Sequence, residues 1–165
     1  MVYCNSIHYV PDKEKLLRDI KGKLNNKGVL AFNTSFYDGS HPVNSQEFYR
    51  KWMFRAIRLL YKDYKLKPIK TEKVSSRRHL SPENYIDLLK DTGFKVEYVN
   101  ATSYNVPVDG FHYISEFKDW IEGILPGVPL EYGKKTLQKS LRQVFKEMEL
   151  VTVPRNWLSI RAVAT

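Results

Sequence analysis

The chain has 165 residues, with 27 Lys and Arg against 18 Asp and Glu, 42% hydrophobic residues and a single cysteine, Cys4. That composition and length suit one folded domain, expected to span 1–165, and exclude a disordered chain, a disulfide scaffold and a multi-cysteine metal site. No signal-peptide pattern opens the sequence and no apolar run has the length of a membrane span, so a cytoplasmic protein with no membrane partner is expected.

Met1 to Cys4 is a short apolar, β-favouring run, followed at once by the polar residues Asn5, Ser6 and His8. Asp12 is a fitting N-cap for a helix whose Leu16, Leu17, Ile20 and Leu24 recur at helical spacing, before Asn25, Asn26 and Gly28 end it. Val29 to Phe32 is continuously apolar, which predicts a strand covered on both faces, with Asn33, Thr34 and Ser35 at its carboxyl end. Strand, helix and strand in that order make a parallel unit. Ser45 can cap a helix with Tyr49, Trp52, Met53, Ala56, Ile57 and Leu60 on one broad face.

Lys65 to Arg78 contains Pro68, has no clean period and reads as an extended connection or irregular hairpin. Ser81 with Pro82 and Glu83 is a helix start, and Gly93 is a stop. Phe94, Val96 and Tyr98 then alternate into a strand. Helices are expected around Glu116 to Ile124 and over the period Leu137, Leu141, Val144, Phe145 and Met148, and a final strand over Trp157 to Val163.

The charge is concentrated. From Arg50 to Arg78, eleven Lys and Arg face only Asp63 and Glu72, an excess equal to the whole chain's +9. This basic, aromatic-rich segment can meet a phosphate, a carboxylate or an acidic protein, or simply be a solvated lysine-rich face. No RNA-binding signature, zinc finger or Gly-rich phosphate loop accompanies it, so nucleic acid is not the expected partner.

Two runs together, Val2-Tyr3-Cys4-Asn5-Ser6-Ile7-His8-Tyr9-Val10-Pro11-Asp12 and Leu24-Asn25-Asn26-Lys27-Gly28-Val29-Leu30-Ala31-Phe32, resemble the class I S-adenosylmethionine-dependent methyltransferases. They look like that family's fourth strand with its histidine-containing loop, the helix that follows, and the fifth strand. Ser81-Pro82-Glu83 and Thr92-Gly93-Phe94-Lys95-Val96 resemble its next helix and sixth strand, and Trp157 to Ala164 its last, antiparallel strand. The resemblance implies an α/β fold. It predicts a partial Rossmann-like sheet of parallel strands plus a final antiparallel strand, flanked by helices, with residues 35–79 as a variable basic, aromatic lid over the acceptor.

The family's first strand and Gly-rich loop have no counterpart here, and no Gly-x-Gly-x-Gly run occurs. The chain is therefore expected to be a truncated, carboxyl-terminal part of the fold, with little activity alone. Its first strand would then be an unprotected edge, pairing in a homodimer or with a missing amino-terminal half.

Open parallel sheets take ligands beyond the carboxyl ends of their strands. By resemblance, Asn5 and Ser6 would contact the methionine portion of S-adenosylmethionine, and His8 would face the sulfonium and acceptor. There it would deprotonate a hydroxyl or position a carboxylate, or else be a helix-entry histidine satisfied by backbone. Tyr9, Asn33, Thr34, Tyr37, Trp52 and Arg55 are the candidate acceptor contacts. Tyr104, Phe111, His112, Tyr113 and Trp120 can add to an acceptor pocket, although such aromatics are commonly core residues.

No metal is expected, since the histidines at positions 8, 41, 79 and 112 lack ligand spacing. The function implied is methyl transfer to a small-molecule acceptor, an anionic one if the basic lid contributes through Arg55 and Arg58. The alternative is a non-catalytic interaction module that binds a protein or nucleic acid through the basic segment or the strand edge.

Overall fold

The computed structural model describes residues 1–69 and 79–165. They form two compact units, one of residues 1–41, 79–104 and 155–165, the other of residues 42–69 and 105–154. The lid expected over 35–79 is divided between them, and residues 70–78, part of the predicted irregular connection, lie outside the described residues.

In the first unit, β1 (Val2–Cys4) leads through a single 3-10 turn (Ile7–Tyr9) to α1 (Lys13–Lys21) and β2 (Val29–Thr34). Asp12 caps α1 as expected, accepting the Lys15 N–H. α3 (Pro82–Asp91) begins on a capping box, in which the Ser81 hydroxyl accepts from the Asn84 N–H and the Asn84 side chain accepts from the Ser81 N–H. Gly93, at φ 82°, turns the chain out of α3 in a conformation that a side chain would strain. β3 (Phe94–Pro107) and β4 (Thr152–Ala164) run longer than the sequence period indicates, and both continue into the second unit.

The sheet order is β1-β2-β4-β3. β1 pairs parallel to β2 with Tyr3 opposite Phe32, and β4 pairs antiparallel to β2 with Leu158 opposite Thr34. This is the mixed sheet that the resemblance predicts, parallel strands with a final antiparallel one. Leu30, Phe32, Leu158, Ile160 and Ala162 turn to one side and close a core with Leu17, Ile20, Tyr85 and Leu89 from the helices.

One expectation is corrected. β2 is not covered on both faces: Leu30, Phe32 and Thr34 are buried while Val29 is exposed and Ala31 and Asn33 are half-buried. A continuous apolar run records a strand's composition but not which of its faces receives a helix. The open face carries a depression of about 230 Å³ beside Tyr3, Ala31, Asn33, Tyr98, Ser159 and Arg161.

The second unit is helical. α2 (Gln46–Tyr64) and α6 (Leu130–Glu147) pack together with two short helices, α4 (Val108–Ile114) and α5 (Lys118–Ile124). Its core joins Phe48, Trp52, Ala56 and Leu60 of α2 to Leu137, Leu141 and Val144 of α6. The sequence period shows α2 and α6 but misses α4, a seven-residue helix that contains Gly110 and is separated from α5 by the loop at Ser115 to Phe117. Among the described residues no helix is long and apolar enough to cross a membrane.

Candidate functional site

The polar residues that follow β1 and those that follow β2 are locked to each other. Asn5 takes the left-handed region, φ 46°, where a short amide side chain is tolerated. Its backbone N–H is shared between the Asn33 carbonyl oxygen at 3.1 Å and Asn33 Oδ1 at 2.8 Å. In return Asn5 Oδ1 accepts from the Ser35 N–H at 2.8 Å and from its hydroxyl at 3.2 Å. The parallel pair thus ends in a reciprocal clamp, and the Asn5 side chain is committed to it.

Ser6 opens the 3-10 turn, its carbonyl accepting the Tyr9 N–H at 3.1 Å, and its own side chain makes no capping bond. Lys13, buried at the start of α1, donates from Nζ to the Val10 carbonyl at 2.8 Å and so ties the turn to the helix. Burial lowers the Lys13 pKa from its ordinary value.

His8 is buried in that turn, its ring 4.1 Å from the Tyr9 ring and 4.4 Å from the Phe36 ring, centroid to centroid. Its Nδ1 lies 3.1 Å from Thr34 Oγ1. The fully buried Thr34 hydroxyl also accepts the Phe36 N–H at 3.0 Å, and its own proton is available to His8 Nδ1. Where Thr34 donates to Nδ1, a neutral His8 carries its hydrogen on Nε2.

Next to this lies a cluster that sequence reasoning missed. The β2/β4 register sets Leu158 opposite Thr34, so Arg155, three residues earlier, falls beside the loop that leaves β2. Arg155 is 4% exposed. Its Nη2 donates to the Ser35 carbonyl at 2.6 Å, its Nη1 lies 3.1 Å from His41 Nε2, and its guanidinium sits 5.0 Å from the Phe36 ring centroid. A guanidinium only donates, so His41 Nε2 accepts.

Burial first, then the positive charge of Arg155 and the neighbouring His79, push the His41 pKa down to about 4. Burial pushes the Tyr37 hydroxyl up, against the opposing effects of an Asn156 hydrogen bond and of Arg155. The Asn156 N–H and side-chain amide donate to the carbonyls of Ser40 and Gly39, both at 2.9 Å, and pin the same loop. Arg155 lay unseen because it stands alone between Pro154 and Asn156, and only strand register brings it to Ser35 and His41.

Of the predicted residues, Asn5 is hydrogen-bonded to Asn33 and His8 to Thr34, Ser6 and Tyr9 lie in the same turn, and Tyr37 is buried in the adjoining loop. Tyr9 is half exposed. Trp52 and Arg55 belong to the helical unit. Trp52 is wholly buried there, its Nε1 donating to the Leu137 carbonyl at 2.9 Å, and Arg55 forms an ion pair with Glu147, which Lys51 joins at 3.6 Å. Phe111 is in the same core, and Tyr104 and Tyr113 are exposed.

No family model matches the sequence, and no curated protein matches it. Solved structures do. A provisionally assigned methyltransferase from Bacillus halodurans aligns over 98% of this chain and 62% of its own, with a TM-score of 0.50 at 11% identity. A provisionally assigned sarcosine dimethylglycine methyltransferase from Galdieria sulphuraria aligns over 98% of this chain and 51% of its own, with a TM-score of 0.41 at 13% identity. Phosphoethanolamine N-methyltransferase 2 from Haemonchus contortus, solved with phosphomonomethylethanolamine and S-adenosylhomocysteine, aligns over 99% of this chain and 32% of its own, with a TM-score of 0.40 at 19% identity. This chain thus spans less than two thirds of each of these structures. The chain has the fold of the class I S-adenosylmethionine-dependent methyltransferases, as the resemblance in its sequence implies.

Proposed function

We propose that the chain is the acceptor-side portion of an S-adenosylmethionine-dependent methyltransferase acting on a small molecule. The observation that carries this reading is the gathering of Asn5, Ser6 and His8, just past β1, with Asn33 and Thr34, the last residues of β2, at the carboxyl end of a parallel pair, in a fold of this class.

The turn fits only part of the cofactor. With the Asn5 amide committed to Ser35, it offers backbone groups and the half-buried Ser6 hydroxyl, enough for the small amino-acid end. The sequence contains no Gly-rich loop for the rest, so the chain alone binds weakly and turns over little. When bound, S-adenosylmethionine supplies an electrophilic methyl group. The protein's own task is then placement, since methyl transfer gains most from proximity and orientation. Held at Nδ1 by Thr34, His8 is the side chain of this turn that would orient the acceptor.

The same reading makes β1 a docking edge. β1 ends the sheet with Val2 68% exposed, and it pairs there with a strand of a second copy or of a separate amino-terminal half.

The test is a titration of the ¹⁵N-labelled chain with S-adenosylhomocysteine, with adenosine as comparison. The amides of Asn5, Ser6 and His8 shift with the homocysteine-bearing ligand and not with adenosine. If those amides stay in place in a folded chain at millimolar ligand, the reading fails.

A further inference from the structure

We propose that the exposed face of α2 is a docking surface for an anionic lipid bilayer, against which the helix lies without crossing. The inference stands on residues the methyltransferase reading does not use, so either can fail alone.

Helical spacing builds the face. Phe54, Ile57 and Tyr61 fall a turn apart on the side of α2 turned away from Trp52, Ala56 and Leu60, which fill the core. They are 60%, 40% and 50% exposed and take no part in that core. Arg50, Arg58 and Lys62 are exposed on the same helix. α2 ends at Lys65 in the left-handed region, φ 57°, and Leu66 packs back onto the core, which leaves Lys65 and Lys67 exposed beside the last turn. Their ammonium groups lie 5.5 and 5.1 Å from the Tyr61 ring centroid.

The charge of this face is not spent inside the protein. The acids of α2 are engaged elsewhere, Glu47 with Lys51 at 3.2 Å and Asp63 with Lys139 at 2.6 Å, while Glu147 of α6 takes Lys51 and Arg55. Arg50, Arg58, Lys62, Lys65 and Lys67 form no ion pair among the described residues. A merely solvated basic face has no need of Phe, Ile and Tyr exposed in line.

This pairing of chemistries fits a lipid surface. A bilayer interface receives protruding apolar side chains among its acyl chains, while Lys and Arg on long stems reach the phosphates above. A protein partner would have to bring both a groove matched to three side chains and acids matched to the cations. The expectation of no membrane partner rests on the absence of a spanning run, which bears on crossing a bilayer and not on lying against one.

The test is sedimentation of the full chain with vesicles of phosphatidylserine and phosphatidylcholine in equal parts, against vesicles of phosphatidylcholine alone. Binding at least about tenfold stronger to the anionic vesicles is expected, weakening as salt rises. Arg58→Glu with Lys62→Glu should lower the partition coefficient at least about tenfold. Phe54→Ser with Ile57→Ser should lower it about fivefold or more, because insertion is lost. Neither pair belongs to the core, and circular dichroism checks that each variant keeps the fold. Lys23→Glu with Lys27→Glu, the same charge change at exposed positions outside α2, should cost less than about threefold. No binding to anionic vesicles, or equal binding to neutral ones, overturns the proposal. An equal loss in the Lys23 and Lys27 control also overturns it, by assigning binding to net charge. So does displacement from the vesicles by polyglutamate at matched charge, which would assign the face to an acidic protein.

Discussion

Thr34 Oγ1 and His8 Nδ1 lie 3.1 Å apart in a buried contact between the end of β2 and the turn after β1. The Thr34 oxygen also takes the Phe36 N–H, which leaves the hydroxyl proton available to the imidazole. If the hydroxyl gives that proton to Nδ1, a side chain with no acid–base chemistry of its own sets which nitrogen of His8 carries hydrogen.

Thr34→Val tests that assignment. Long-range ¹H–¹⁵N spectra should show the Nε2–H tautomer in the parent chain, and loss of that preference in the variant. Stability should fall by roughly 1–3 kcal/mol in denaturant titration, because both the Phe36 N–H and Nδ1 lose their partner. A parent His8 in the Nδ1–H form would contradict the assignment.

His41 makes stability depend on pH. Its folded pKa, about 4, lies below the ordinary 6.5, so between those values the unfolded chain binds more protons and stability falls as pH falls. The loss begins near pH 6.5 and is complete just below pH 4, on the order of 2 kcal/mol after allowing for partial exposure. His41→Gln should flatten that window of the unfolding curve, and an unchanged pH profile would remove His41 as its source.

Trp52 should behave as a core residue and not as a ligand contact. Trp52→Phe gives up the Nε1 bond to Leu137 and leaves a small void, a cost of about 1–3 kcal/mol in chemical denaturation. Ligand-induced shifts at Asn5, Ser6 and His8 should be unaffected. A changed response there would return Trp52 to the acceptor contacts.

The edge of β1 predicts association. Light scattering of the chain alone should show mass rising with concentration, and Val2→Lys, which places a charge on the exposed edge, should reduce it. A monomer at all concentrations would argue against pairing between copies.

Much of the first unit was legible in its sequence because local chemistry repeats there at short range. Asp12, the Ser81-Pro82 start and Gly93 mark boundaries that the structure keeps, and Asn5, His8 and Thr34 stand where strand ends place them. What escaped is set by distance along the chain. Arg155 meets Ser35 across 120 positions, and nothing in Pro154-Arg155-Asn156 distinguishes it from an exposed strand cation. The lid charge misleads for a related reason, since the sequence shows Arg55 without showing that Glu147 returns to face it.

The most direct measurement is a crystal structure of the chain grown with S-adenosylhomocysteine at saturating concentration. The account predicts the homocysteine end of the ligand against the Asn5–Ser6 turn. Ligand density bound elsewhere, with that turn unchanged and uncontacted, would contradict it.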